Sequence, residues 1–256
     1  MRRVVFNQKG GVGKSTITCN LAAVSAQQGL RTLVLDLDAQ SNSTRYLLGA
    51  QADTLTADLG GFFDQTLKFN LHPRSTAEFV VPTPFENLHL MPSSPALEEL
   101  QSKLESRYKI YKLRDALDEL ADQYDRVYID TPPALNFYTR SALIAAQRCL
   151  VPFDCDDFSR RALYALLENV QEIQADHNRA LQVEGIIVNQ FQARASLPRK
   201  VVAELVAEGL PVLQPYLSST VKVKESHEQA LPLVHLDPKH RLTLEFIALH
   251  DALNRK

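Results

Sequence analysis

The chain has 256 residues, of which 45% are hydrophobic and 23% charged, and its formal net charge is -2. Those figures exclude a disordered tail and a collagen-like chain, and they argue against a constitutive high-affinity nucleic-acid binder, while leaving room for a local basic face. No apolar run approaches the roughly 20 residues of a membrane span, and the basic start Met1-Arg2-Arg3 leads into a glycine loop rather than a signal peptide's apolar core. Cys19, Cys149 and Cys155 are odd in number and scattered, which speaks against a disulfide framework. The expected setting is cytoplasmic.

The length suits one α/β domain over residues 1–256. Short β-branched runs alternate with longer helical patterns, which predicts βαβ units and a mostly parallel, doubly wound sheet flanked by helices. In chain order, strands are predicted over Arg3–Asn7, Thr32–Asp36, Leu88–Met91, Arg126–Asp130, Arg148–Val151 and Val183–Asn189. Helices are predicted near Ser15–Gln28, Leu97–Glu105, Lys112–Gln123, Ser159–Asp176 and Pro198–Glu208, and near Leu242–Leu253 with a core-facing stripe of Leu242, Phe246, Leu249 and Leu253. The stretch Gln51–Glu86 is the least regular. Ligand is expected at the carboxyl ends of the strands.

Gln8-Lys9-Gly10-Gly11-Val12-Gly13-Lys14-Ser15-Thr16 joins the first strand to the first helix, the context a phosphate loop requires. Its glycines let successive N–H groups turn toward phosphate oxygens, and the helix N-terminus adds partial positive charge. Lys14 is the residue expected on the β- and γ-phosphates, and the Ser15 hydroxyl on Mg²⁺. Gln8 stands where the usual G-x-x-x-x-G-K-[ST] pattern has its first glycine, and a second lysine, Lys9, heads the loop instead. The run Lys-Gly-Gly-Val-Gly-Lys-Ser resembles the variant Walker A box of the ParA/MinD ATPases. That resemblance implies a P-loop ATPase fold, ATP and Mg²⁺ as cofactors, and a homodimer formed with ATP in which Lys9 reaches the partner subunit's nucleotide.

Leu33-Val34-Leu35-Asp36-Leu37-Asp38-Ala39-Gln40 is a second apolar strand ending in two carboxylates, which alternation places on one side. It looks like the family's Asp-x-Asp-Pro-Gln segment, with Ala39 in place of the proline. The resemblance makes Asp38 the catalytic acid that positions or activates water, and Asp36 either a Mg²⁺-shell group or an organiser of the loop. Arg126-Val127-Tyr128-Ile129-Asp130 followed by Thr131-Pro132-Pro133 reads as a Walker B strand, with Asp130 on Mg²⁺ through water. Asn189, ending the strand Ile186-Ile187-Val188, matches the family's adenine-reading asparagine; a turn-forming role is the other reading.

In the ParA branch, basic residues of the last third bind DNA without sequence preference. Arg194, Arg199 and Lys200 resemble one such segment and Lys222 and Lys224 another, although Leu217-Ser218-Ser219-Thr220 replaces the branch's Pro-Arg-Asn. The resemblance further implies a nucleoid-associated protein whose hydrolysis is stimulated by a ParB-like or other adaptor, and which partitions or positions a cargo. Two other readings share the core. A MinD-like membrane cycle needs an amphipathic basic C-terminal helix, and Leu249–Lys256 has too few apolar and basic residues for a stable anchor. A metabolic enzyme is the other; an iron–sulfur type needs cysteines after the Walker B strand, where Thr131-Pro132-Pro133 stands.

Overall fold

The computed structural model describes residues 1–155 and 159–255. Among them seven strands form one sheet: β1 Arg2–Val5, β2 Thr32–Asp36, β3 Val81–Pro82, β4 Leu88–Met91, β5 Arg126–Asp130, β6 Arg148–Asp154 and β7 Gln182–Asn189. Their spatial order is β3-β4-β2-β5-β1-β6-β7, parallel throughout except for the short edge strand β3. The parallel arrangement follows from the helical crossovers, which carry the chain back to the same edge each time.

The central strands are apolar on both sides, and alternation sends successive residues to opposite layers. Val4, Leu33, Leu35, Val127 and Ile129 pack into one core. It is covered by α3 (Leu59–Leu67), α4 (Ala96–Ser106), α5 (Lys112–Glu119), α6 (Phe137–Ala145) and α7 (Ser159–Asp176). Val5, Val34, Leu90 and Tyr128 face the other core. There they meet α1 (Lys14–Gln27), α2 (Asn42–Leu48), α10 (Leu233–Leu236) and α11 (Arg241–Asn254). The predicted stripe Leu242, Phe246, Leu249 and Leu253 is buried in this second core, so the apolar face of α11 is spent inside the fold. Two further helices follow β7: α8 (Ser196–Ala207), and α9 (Lys222–Glu228), which packs against α10 and, through His227, against α1 and α2.

Sequence periodicity missed α2, α3, α6, α9 and α10. Most of these are short, and α6 is buried along nearly its whole length, so it offers no polar face from which to read a helical period. Gln51–Glu86 resolves into short 3₁₀ segments at Gly49–Thr54 and Thr76–Phe79 around α3 and β3. β1 ends at Val5 rather than Asn7, because the chain must leave the sheet to begin the glycine loop. β6 instead runs on to Asp154.

Candidate nucleotide site

The site forms where β1, β2 and β5 end. Val5 and Asp130 are register partners, and so are Asp36 and Asp130, which sets the loop after β1 beside both carboxylates. Helix α1 begins at Lys14 behind an N-cap Gly13 with φ 91°, with no side-chain cap and no acid in its first turn. Its first N–H groups are therefore left for an external anion, the electrostatic opposite of an ordinary capped helix. Gly11 (φ 77°) and Gly13 occupy left-handed backbone, and a Cβ on Gly13 would lie 2.3 Å from Asn189 Nδ2, so only glycine fits there.

A cavity of about 410 Å³ is lined by Gly10, Gly11, Gly13, Lys14, Ser15, Thr16, Asp38, Gln40, Asn42, Pro133 and His227. The phosphate loop, the acidic loop after β2 and the turn after β5 thus meet as the sequence predicts. Lys14 is buried and its Nζ donates to Lys9 O at 3.0 Å. Burial lowers its pKa, with Asp130 and Asp38 opposing that effect. An incoming phosphate would exchange a neutral carbonyl partner for a charged one.

Asp36 is fully buried and accepts from Thr44 N (2.8 Å), Thr44 Oγ1 (2.7 Å) and Asp38 N (3.2 Å). Those bonds give it the loop-organising part of its expected roles, and Asp36 is absent from the residues lining the cavity. Asp38 lies past the strand end and lines the cavity itself, accepting from Gln40 N through Oδ1 at 3.1 Å. The loop after them is tight: Ser41 sits at φ 56° in the N-cap position of α2. Ser93 Oγ donates to Asp38 O at 2.6 Å and fixes the turn from below.

Asp130 Oδ2 accepts from Ser43 Oγ at 2.7 Å, whereas its Oδ1 is buried with no hydrogen-bond partner among the described residues. Burial raises the pKa of both Asp130 and Asp36; the Asp130 carboxylate further opposes ionisation of Asp36, and Asp38 that of Asp130. Around Asp130 the Ser15 and Ser43 hydroxyls and Lys14 favour the charged form. An orphaned, buried carboxylate oxygen beside a hydroxyl and a second acid is a donor set that suits a hard divalent cation. The residues fit Mg²⁺.

The remaining candidates spread outward. Lys9 Nζ meets Asp154 at the end of β6, at 2.8 and 3.0 Å, and Lys9 is not among the residues lining the cavity of its own chain. Asn189 Nδ2 donates to Val12 O at 2.9 Å, so part of the amide expected to read adenine is bonded to the loop. It borders a second cavity of about 570 Å³, shared with Gly11, Gly13, Thr16, Ser218, Thr220 and Lys224. Arg194, Arg199, Lys200 and Lys224 are exposed. Lys222 is drawn into ion pairs with Glu225 (2.9 Å) and Asp237 (3.8 Å). Backbone bonds from Phe191 N to Leu217 O and from Ser219 N to Phe191 O sew the turn carrying Arg194 to the segment that leads into α9. Sequence reasoning missed Ser43, Asp154 and His227. An acid at the end of a strand could have flagged Asp154, by the logic that found Asp130; His227 carries no such signal.

Known proteins show the same build. Residues 3–183 match the AAA domain family AAA_31. The chain is 32% identical to the chromosome partitioning protein ParA of Myxococcus xanthus, over 98% of this chain and 87% of that protein. It is 33% identical to the chromosome-partitioning ATPase Soj of Treponema pallidum, over 91% and 89% respectively. Among solved structures, cobyrinic acid a,c-diamide synthase from Mycobacterium smegmatis with bound ADP and magnesium superposes with a TM-score of 0.84 at 27% identity, covering 99% of this chain and 94% of that one. The phosphate loop, the two acidic strand ends and these relatives agree: the chain belongs to the ParA/MinD family of P-loop ATPases, among relatives named ParA and Soj, with ATP and Mg²⁺ as its cofactors.

Proposed function

We propose that this ATPase dimerises with ATP, binds DNA without sequence preference in that state, and partitions or positions a chromosome, plasmid or other cargo along the nucleoid. The observation that carries the reading is the convergence of Lys14, Ser15 and Asp38 on one cavity, with Asp130 behind it and exposed basic residues in the segments that follow β7. The names of the relatives support partition as the setting.

In the proposed chemistry, Lys14 and the uncapped N–H groups of α1 hold the phosphates, and Gly10, Gly11, Val12, Gly13 and Thr16 shape the cradle. Ser15 and Asp130 hold the cation, directly or through water, and Mg²⁺ when bound neutralises charge on the terminal phosphates. Asp38 orients the attacking water and accepts its proton; Asp36 keeps the loop in register. Lys9 leaves Asp154 to reach the partner's nucleotide. Asn189 borders the base. An adaptor of the ParB type accelerates hydrolysis, which is otherwise slow, because a positioning switch has to persist in its ATP state.

A mobility shift on random duplex, run with ATP, with ADP and without nucleotide, tests the reading, together with Asp38→Ala. The wild type is expected to shift DNA only with ATP, and Asp38→Ala to shift it while hydrolysing far more slowly. A wild type that leaves DNA unshifted with ATP at low salt would overturn the nucleoid reading.

A further inference from the structure

Helix α9 and the segment before it border both cavities around the glycine loop. Ser218–Val221, Val223 and Lys224 line the larger one, and His227, one turn further on, lines the phosphate cavity. The two cavities share Gly11, Gly13 and Thr16. One short helix therefore touches whatever occupies the site from two sides.

His227 supplies the contact. Its Nε2 lies 2.9 Å from Thr16 Oγ1, the hydroxyl next to the cation-holding Ser15. Its ring stacks on Tyr46 of α2 with centroids 4.0 Å apart and planes 13° from parallel. Burial holds the imidazole toward its neutral form. The Tyr46 hydroxyl sits between Asn20 Nδ2 (3.1 Å) and Ser226 Oγ (2.5 Å), and Asn20 Oδ1 accepts from Leu233 N at 2.8 Å. A buried polar network of this kind fixes one arrangement, because every displaced partner would be left unsatisfied. Tyr46 lies two residues after Thr44, which is bonded to Asp36 in the acidic loop.

We propose that His227 is the residue through which α9 senses nucleotide: the Thr16–His227–Tyr46 junction transmits occupancy of the phosphate cavity to the helix bearing Lys222 and Lys224. Thr16 opens the helix whose N–H groups receive phosphate. When its hydroxyl turns to an anion, the His227 ring loses or re-forms its only side-chain hydrogen bond among the described residues, and α9 moves or tightens with it. The inference rests on the nucleotide site and adds to the DNA-binding reading a route by which nucleotide reaches that surface.

Hydrogen exchange on the full chain, with and without Mg-ADP, tests it free of dimer and DNA. In the wild type, saturating Mg-ADP is expected to change exchange of the 222–229 amides about fivefold. In His227→Ala that response should vanish while amides 10–16 still respond; His227→Gln, which can hydrogen-bond Thr16 without the full stack, should restore part of it. Tyr46→Phe keeps the ring stack but opens the hydroxyl network to Asn20 and Ser226, and should weaken the response without abolishing it. A wild-type α9 blind to ADP, or an equal response in His227→Ala, overturns the proposal. A responding α9 in a protein that never shifts DNA would instead sink the DNA reading alone.

Discussion

The ammonium of Lys9 meets both carboxylate oxygens of Asp154, at 2.8 and 3.0 Å, across the gap between the glycine loop and the end of β6. The pair is partly exposed, with 39% and 24% of the two side chains accessible. It holds in its own subunit the lysine that the proposed dimer needs across the interface. A pair this wet is worth about 0.5–1 kcal/mol.

Releasing Lys9 should therefore favour the dimer modestly. Because each protomer of the dimer gives up one such pair, Asp154→Asn is expected to tighten ATP-dependent self-association about five- to thirtyfold, the equivalent of twice that energy. In a Lys9→Ala background the same change should have a much smaller effect. Light scattering against protein concentration with ATP reads both. An unchanged association in Asp154→Asn means that the pair does not compete with dimer formation.

The buried acids predict an opposite-signed pair of effects on stability and binding. Asp36 and Asp130 both titrate above the ordinary 3.8. The folded chain consequently binds protons more readily than the unfolded one, so their contribution is most favourable at low pH and is lost as pH rises through the raised values. Asp130→Asn should raise the melting temperature of the nucleotide-free protein by about 2–8 °C at pH 8, on the order of 1–2 kcal/mol, and by less at pH 5. The same variant should lose the Mg²⁺ dependence of ATP binding. Calorimetry at the two pH values would refute the assignment if the gain were equal.

His250 works the other way. It is buried, its Nε2 lies 2.8 Å from Ser25 Oγ, and burial, helped by Arg3 and Arg126, lowers its pKa from 6.5 to about 4. A depressed histidine contributes stability that is complete above pH 6.5 and is lost as pH falls toward 4, up to about 3 kcal/mol. His250→Gln keeps a polar partner for Ser25 and cannot charge, so acid titration of its stability should be flatter across that interval. Denaturant midpoints at pH 7 and pH 4.5 measure it, and parallel losses in both proteins would remove His250 from the account.

The site was legible in the sequence wherever its chemistry is local. Lys14 and Ser15 are set by the glycines beside them, and Asp38 and Asp130 by the apolar strands that end there. Asp154 and His227 act through partners 145 and 211 residues away, at Lys9 and Thr16, which no local pattern encodes. Lys222 marks the same limit from the other side. Its place in a basic segment recommended it for DNA, yet Glu225 one turn on and Asp237 beyond the next helix take up its charge. The fold was legible in its strands, whose apolar runs have to be buried on both faces. It was least so in helices such as α2, too short to display a period.

That neutralised lysine yields the last prediction. Arg194, Arg199, Lys200 and Lys224 are exposed, although Glu204 stands 4.0 Å from Lys200. A dimer would present each of them twice, so removing one freely available cation deletes two phosphate contacts. The slope of log affinity against log salt should then shrink by about 1.8 for Arg194→Ala, Arg199→Ala or Lys224→Ala. Lys222→Ala should change it by less than about 1, because breaking its pairs with Glu225 and Asp237 offsets much of what a phosphate would return. Fluorescence anisotropy on random duplex with ATP, across a salt series, separates the cases. Equal slopes for Lys222→Ala and Lys224→Ala would mean that Lys222 abandons its acids for DNA. Unchanged slopes for all four variants would move the DNA surface away from α8 and α9.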